Sequence, residues 1–157
     1  MSTEPSADDY RALLAEVYDL AGRGRRQSEA EAEAHGSTAA RWLVMSALSE
    51  HDLTVATVAR RLGLPRQAVH RVVDDLVDQD HVRKQRNPDH ARSELVALTE
   101  LGRSVLSTLR ADTDPHRLAV LRAARLTREE VEAARDVVSR LADAFGNADE
   151  YGADRRW

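Results

Sequence analysis

The chain has 157 residues, 42% of them hydrophobic and 32% charged, with 23 basic against 27 acidic side chains. That suits one domain, or one domain with a dimerisation lobe. The absence of cysteine excludes a disulfide framework, a thiolate zinc site and a thiol redox switch, and 4% aromatic content argues against a stacking surface for single-stranded nucleic acid. No apolar run approaches the roughly 18 residues of a membrane span, and the polar start MSTEPSADDY does not read as a signal peptide; a cytoplasmic, nucleoid-associated protein is expected.

An amphipathic helix is predicted from Asp8, with Tyr10, Leu13, Leu14, Val17, Leu20 and Ala21 at helical spacing. Gly22 and Gly24 weaken it, and QSEAEAEAH either continues it or forms a mobile connection. Gly36 and Ser37 break the pattern, and Ser37 or Thr38 caps a helix over about 38–49 that carries Trp42, Leu43, Met45 and Leu48. SEHDL reads as a linker to Thr54, the N-cap of a helix over Val55–Leu62. Gly63 supplies the positive φ that ends this helix and permits a tight turn. Pro65 suits a first helical position, and the second helix runs to about Gln79 with Val69, Val72, Val73 and Leu76 as its apolar stripe. Asp80 ends it in a left-handed conformation.

Val82–Arg86 and Ser93–Leu98 read as short strands around the turn-forming NPDHA. Alternation leaves open whether Leu95 and Ala97 or Val96 and Leu98 face inward. Thr99 starts another helix, which Asp114-Pro115 interrupts by a kink or a break. Thr127 with Glu130 forms a capping box for a last helix ending at Gly146, followed by a polar, frayed tail.

Charge is unevenly placed. Residues 54–73 contain Arg60, Arg61, Arg66 and Arg71 and no carboxylate, and residues 81–93 contain Arg83, Lys84, Arg86 and Arg92. The acidic residues gather towards the termini. Phosphate binding depends on where positive charge sits rather than on its sum. The expected fold is therefore mainly α with a small β-hairpin wing: a winged helix-turn-helix over 38–98, flanked by dimerisation helices at 1–37 and 99–146, with a flexible tail at 147–157.

The runs W42-L43-V44, T54-V55-x-x-V58-A59-R60-R61-L62-G63-L64, R66-Q67-A68-V69-H70-R71-V72-V73-D74-x-L76 and N87 through L98-T99-E100-L101-G102-R103 resemble the multiple antibiotic resistance regulator (MarR) family of bacterial transcription factors. The resemblance implies a homodimer paired through its terminal helices, with two winged heads on a palindromic operator. Three positions depart from the family pattern. Pro65 replaces a side-chain N-cap, Asp80 replaces a glycine, and His90 stands where an aspartate braces the wing arginine, with Asp89 beside it as a substitute.

Side-chain chemistry assigns the expected roles. Gln67 reads adenine; Arg66 or Arg71 reads guanine; His70 reaches a base edge or a phosphate. Arg60 and Arg61 meet phosphates. Arg92, with Arg86 or Lys84 and with His90 in the same loop, brings the wing to the minor groove. The resemblance also implies a small aromatic or anionic effector, for which Arg11, Tyr18, Trp42, Met45 and His116 are candidates. No cofactor or metal is expected, because no two of the six histidines have a helical i, i+4 spacing. An enzyme is not expected either, for want of a phosphate loop, HExxH or nucleophile elbow. The alternative is a winged-helix protein-interaction module that binds no operator.

Overall fold

The computed structural model describes residues 4–88, 90 and 92–152, with 146–152 described by backbone alone. Among these the element order is α1 (Ala7–Ala34), α2 (Ala39–Ala47), β1 (Leu53–Thr54), α3 (Val55–Leu62), α4 (Arg66–Asp78), β2 (Val82–Arg86), β3 (Glu94–Leu98), α5 (Glu100–Ala123) and α6 (Arg128–Gly152). The chain divides into two compact units between Thr113 and Asp114.

In the first unit, α1 begins one residue before the expected Asp8 because Ser6 caps it. The Ser6 hydroxyl accepts from the Asp9 amide at 3.2 Å, and the Asp9 carboxylate accepts from the Ser6 amide at 2.8 Å. This reciprocal box satisfies two donors that the helix leaves unpaired. It holds the Asp9 carboxyl below its ordinary value, chiefly through the Ser6 hydroxyl. The helix continues through both glycines and through QSEAEAEAH to Ala34, which resolves the two readings of that stretch in favour of helix. Thr38 caps α2, accepting from the Arg41 amide at 3.3 Å. α2 buries Trp42, Val44 and Met45 against a core that includes Val58, Val69, Val73, Leu76, Val82 and Val96.

The sheet has three antiparallel strands in the order β1-β3-β2. Leu53 and Thr54, read from sequence as part of a linker and a cap, pair with Val96 and Leu95. The stretch is too short to show a period of two, and its partner lies far along the chain. β2 and β3 run from Val82↔Leu98 to Arg86↔Glu94. The question of which alternate residues face inward has a simple answer: Val96, Ala97 and Leu98 are all buried. β3 is the central strand, and alternation fades where both faces of a strand are covered.

The joint between β3 and α5 is tightly built. The Thr99 hydroxyl donates to the Asp80 carbonyl at 2.5 Å and accepts from the Gly102 amide at 2.9 Å, capping α5. Arg103 donates to the Leu98 carbonyl at 2.8 Å. A Cβ on Gly102 would stand 1.9 Å from the His81 carbonyl oxygen, so only glycine admits this approach of helix to backbone.

Of the two readings at Asp114-Pro115, a kink or a break, the break is excluded: α5 is one helix with Pro115 inside. Proline removes one helical donor. Pro115 and Ala111, whose carbonyl loses its partner, are both exposed, so water can serve that oxygen. In the second unit, Thr127 and Glu130 form the expected capping box, with hydrogen bonds of 2.8 and 3.2 Å. α6 runs on to Gly152 rather than stopping at Gly146; one glycine inside a long helix costs only about 1 kcal/mol. Residues 153–157 of the predicted tail lie outside the described residues. Among the described residues no helix is long and apolar enough to cross a membrane.

Candidate nucleic-acid interface

The interface is organised by the turn between α3 and α4. Thr54 caps α3, accepting from the Thr57 amide at 3.2 Å. Gly63 ends it at φ 61°, the left-handed conformation expected of it. The Leu64 amide then reaches back to the Ala59 carbonyl at 3.0 Å. Pro65 occupies the N-cap and α4 begins at Arg66, one residue later than expected. No side chain caps the helix there; the Pro65 carbonyl instead accepts from the Ala68 and Val69 amides at 3.0 and 3.2 Å.

With Val69, Val73 and Leu76 buried, helical geometry turns Arg66, Gln67 and Arg71 outward, where all three are exposed, while His70 is half-buried. The first turn of α4 carries no acidic residue. Its free amides and the helix dipole therefore add to the positive charge of Arg66. Arg60 and Arg61 are exposed in the last turn of α3.

The wing is closed by a residue to which no role was given from sequence. Asn87, 6% exposed, donates to the Ser93 hydroxyl at 3.1 Å, and the Ser93 amide donates to the His90 carbonyl at 3.1 Å. The Asn-Pro dipeptide was the available signal, since Asn bonds its own local backbone and neighbours in turns. Arg86, His90 and Arg92 are exposed. Asp89, the suggested substitute brace for Arg92, lies outside the described residues. Asp80 adopts φ 55°, so the aspartate at the family's glycine position takes the left-handed conformation.

Four of the predicted DNA-contacting residues converge. Arg66 and His70 from α4, Lys84 from β2 and Arg92 from the wing line one cavity of about 160 Å3, together with Thr54 and Glu94. Lys84 is paired: its Nζ donates to the Asp74 carboxylate of α4 at 2.6 Å. That hydrogen bond first, and the ammonium charge second, hold the Asp74 carboxyl below its ordinary value, with a smaller contribution from His70. The neighbouring Asp75 accepts from Arg41 of α2 at 3.1 Å.

The effector candidates lie on three helices, α1, α2 and α5. Trp42 and Met45 are core residues, 3% and 2% exposed. Tyr18 is 70% exposed on α1, Arg11 pairs with Asp8 on the same helix, and His116 is exposed in the second unit. A separate, mostly apolar groove of about 290 Å3 lies between α1, α2 and the end of α3, lined by Gly24, Arg25, Ser28, Leu43, Leu62 and Leu64 among others. Among the described residues no group of three or more His, Asp or Glu side chains is arranged to hold a metal ion.

Comparison with known proteins agrees with this architecture. Residues 35–93 match the model of the MarR family. An uncharacterised protein of Mycobacterium tuberculosis (strain ATCC 25618 / H37Rv) is 46% identical over 103 residues, covering 66% of this chain and 72% of that protein. The transcriptional regulator BldR of Sulfolobus solfataricus superposes with a TM-score of 0.74 at 19% identity, over 87% of this chain and 99% of that one. The PcaV transcriptional regulator of Streptomyces coelicolor, solved in complex with its natural ligand, superposes with a TM-score of 0.59 at 29% identity, over 80% and 90% of the two chains. The match spans the whole helix-turn-helix and the wing loop, and the superpositions extend it to the flanking helices: the chain belongs to the MarR family of winged-helix transcriptional regulators.

Proposed function

We propose that this regulator is a homodimeric, sequence-specific repressor of double-stranded DNA. The observation that carries the reading is the outward, carboxylate-free first turn of α4, with Arg66 and Gln67 exposed and Arg92 drawn beside it at the wing. In a helix-turn-helix, the N-terminal part of the second helix enters the major groove. There Gln67 reads adenine, Arg66 and Arg71 read guanine, and Arg60 and Arg61 meet phosphates. Arg86, His90 and Arg92 follow the adjacent backbone into the minor groove.

Dimer formation is supported by apolar residues left exposed on the flanking helices, among them Leu20 at 71%, Val138 at 47% and Phe145 at 50%. A two-fold dimer calls for a palindromic operator with half-sites about 10 bp apart, centre to centre. Release by a small molecule is supported by the 290 Å3 groove beside the α3–α4 turn and by the ligand-bound state in which PcaV was solved. Arg25, Ser28 and Glu29 give the groove polar contacts beside the apolar Leu43, Leu62 and Leu64.

Gel shifts with DNA from upstream of the protein's own gene, with and without Gln67→Ala, test the reading. The expected result is that the variant loses about tenfold or more on the operator and retains its binding to unrelated DNA. Equal loss on both would remove base readout by Gln67, and no binding by the parent protein would favour a protein-interaction module.

A further inference from the structure

The proposed DNA contacts give a role to the exposed arginines of the interface, but not to the carboxylates on the recognition helix. Asp74 and Asp75 stand side by side on α4, one turn beyond His70 and Arg71, in a helix whose task is to approach phosphates. Each is engaged by a cation from a different element. Lys84 comes from the wing strand β2 and donates to Asp74 at 2.6 Å. Arg41 comes from α2 and donates to Asp75 at 3.1 Å. Two adjacent residues of a helix point about 100° apart, so the two bonds pull on α4 from different sides.

Lys84 is the only lysine in the chain. Its ammonium donates to one carboxylate oxygen of Asp74, a contact that any cationic donor of similar reach can make. Its side chain is one-third exposed. It lies at the base of the wing, on the cavity wall that faces Arg66 and His70, rather than at the wing's tip with His90.

We propose that Asp74 and Asp75 form a two-sided brace that sets the angle of the recognition helix between wing and scaffold, and that Lys84 and Arg41 are positioning residues rather than phosphate contacts. The inference rests on the DNA-reading function proposed above. The brace keeps Arg66, Gln67 and Arg71 in register with Arg92, so that groove and wing contacts form together. It gives the recognition helix carboxylates that are neutralised in place and so do not repel the backbone.

The test uses full-length Lys84→Gln, Asp74→Asn, the double variant, and Lys84→Arg as the conservative rescue. Operator and non-specific binding are measured across a salt series, and wing hydrogen exchange is followed in DNA-free protein. A partly exposed pair is worth a factor of about five at most, so each single variant should weaken operator binding by about threefold to fivefold. The double variant should be no worse than either single. Lys84→Arg should retain affinity, and non-specific binding and salt slope should stay unchanged. Asp74→Asn should weaken the operator complex although it removes a negative charge from the DNA face.

The proposal is overturned if Asp74→Asn tightens binding, or if Lys84→Gln lowers the salt slope by about one, the mark of a lost phosphate contact. Exchange separates this from failure of the DNA reading. The brace requires faster exchange at residues 82–86 and 94–98 in both single variants even if the parent binds no DNA, and unchanged exchange there overturns the brace alone.

Discussion

The winged head and the long flanking helices use apolar residues in opposite ways. In the head, α3, α4 and the three strands turn Val58, Val69, Val73, Leu76, Val82 and Val96 inward until all are fully buried. On α6 no described side chain is buried, and Val137, Val138 and Phe145 face out. On the outer half of α1, Tyr10, Leu13, Tyr18 and Leu20 do the same. One region completes its core within a single chain. The other keeps apolar surface that a second chain can complete, and exposed apolar faces of this extent mark interaction surfaces. Reading DNA needs a rigid head, whereas pairing two heads at a fixed spacing needs long arms.

The sharpest way to break the head is at its joint with α5. Gly102→Ala places a methyl 1.9 Å from a backbone oxygen, which neither the helix nor the His81 peptide can yield without shifting. A loss of about 3 kcal/mol in urea unfolding is expected, independent of protein concentration. The arms should answer differently. Val138→Asp puts a charge on the exposed apolar face of α6, so the folded monomer should tolerate it while self-association weakens by about 2 kcal/mol, roughly 30-fold. Sedimentation at several concentrations reads this, and an unchanged oligomeric state would remove α6 from the interface.

A smaller effect is expected at Thr127, which caps α6. Thr127→Ala should cost about 1 kcal/mol, seen as earlier thermal loss of helical signal. The smallest is a pH effect at Asp74. Its carboxyl is held below its ordinary value by the hydrogen bond from Lys84 first and by the ammonium charge second. A lowered folded-state value favours folding above the ordinary carboxyl range, and the advantage disappears as pH falls through the folded value. The urea midpoints of parent and Asp74→Asn should therefore differ by a constant amount from pH 7 to 5 and converge below about pH 4.

What could be read from sequence was local in origin. Val55–Leu62 and Val82–Arg86 have the bounds that periodicity and turn residues predict, because Thr54, Gly63 and Asp80 act on their own neighbours. The features that escaped depend on distant partners. β1 exists only because Leu53 and Thr54 meet Val96 and Leu95. The pairing of Lys84 with Asp74 needs the wing strand beside α4, and a lysine in a basic wing strand reads by itself as a contact near the minor groove. Pro115 left a kink and a break both open. Its rule is a steric cost, and a helix of 24 residues can carry one such cost at an exposed site. The LT-x-x-GR run was legible as a family signature but not as a mechanism; the His81 carbonyl that dictates its glycine lies about twenty residues upstream.

That glycine has a mechanical consequence. The His81 carbonyl that blocks a Cβ at Gly102 also accepts from the Thr99 amide at 3.1 Å, while the His81 amide donates to the Leu76 carbonyl of α4 at 2.9 Å. One residue thus touches the end of the recognition helix, the start of the wing and the first turn of α5 through its two flanking peptides. Contacts this close have no play, like meshed gears cut without backlash, and close-packed interiors pass displacements on rather than absorb them. A displacement of α5 at Gly102 therefore bears on the end of α4 and the start of the wing together.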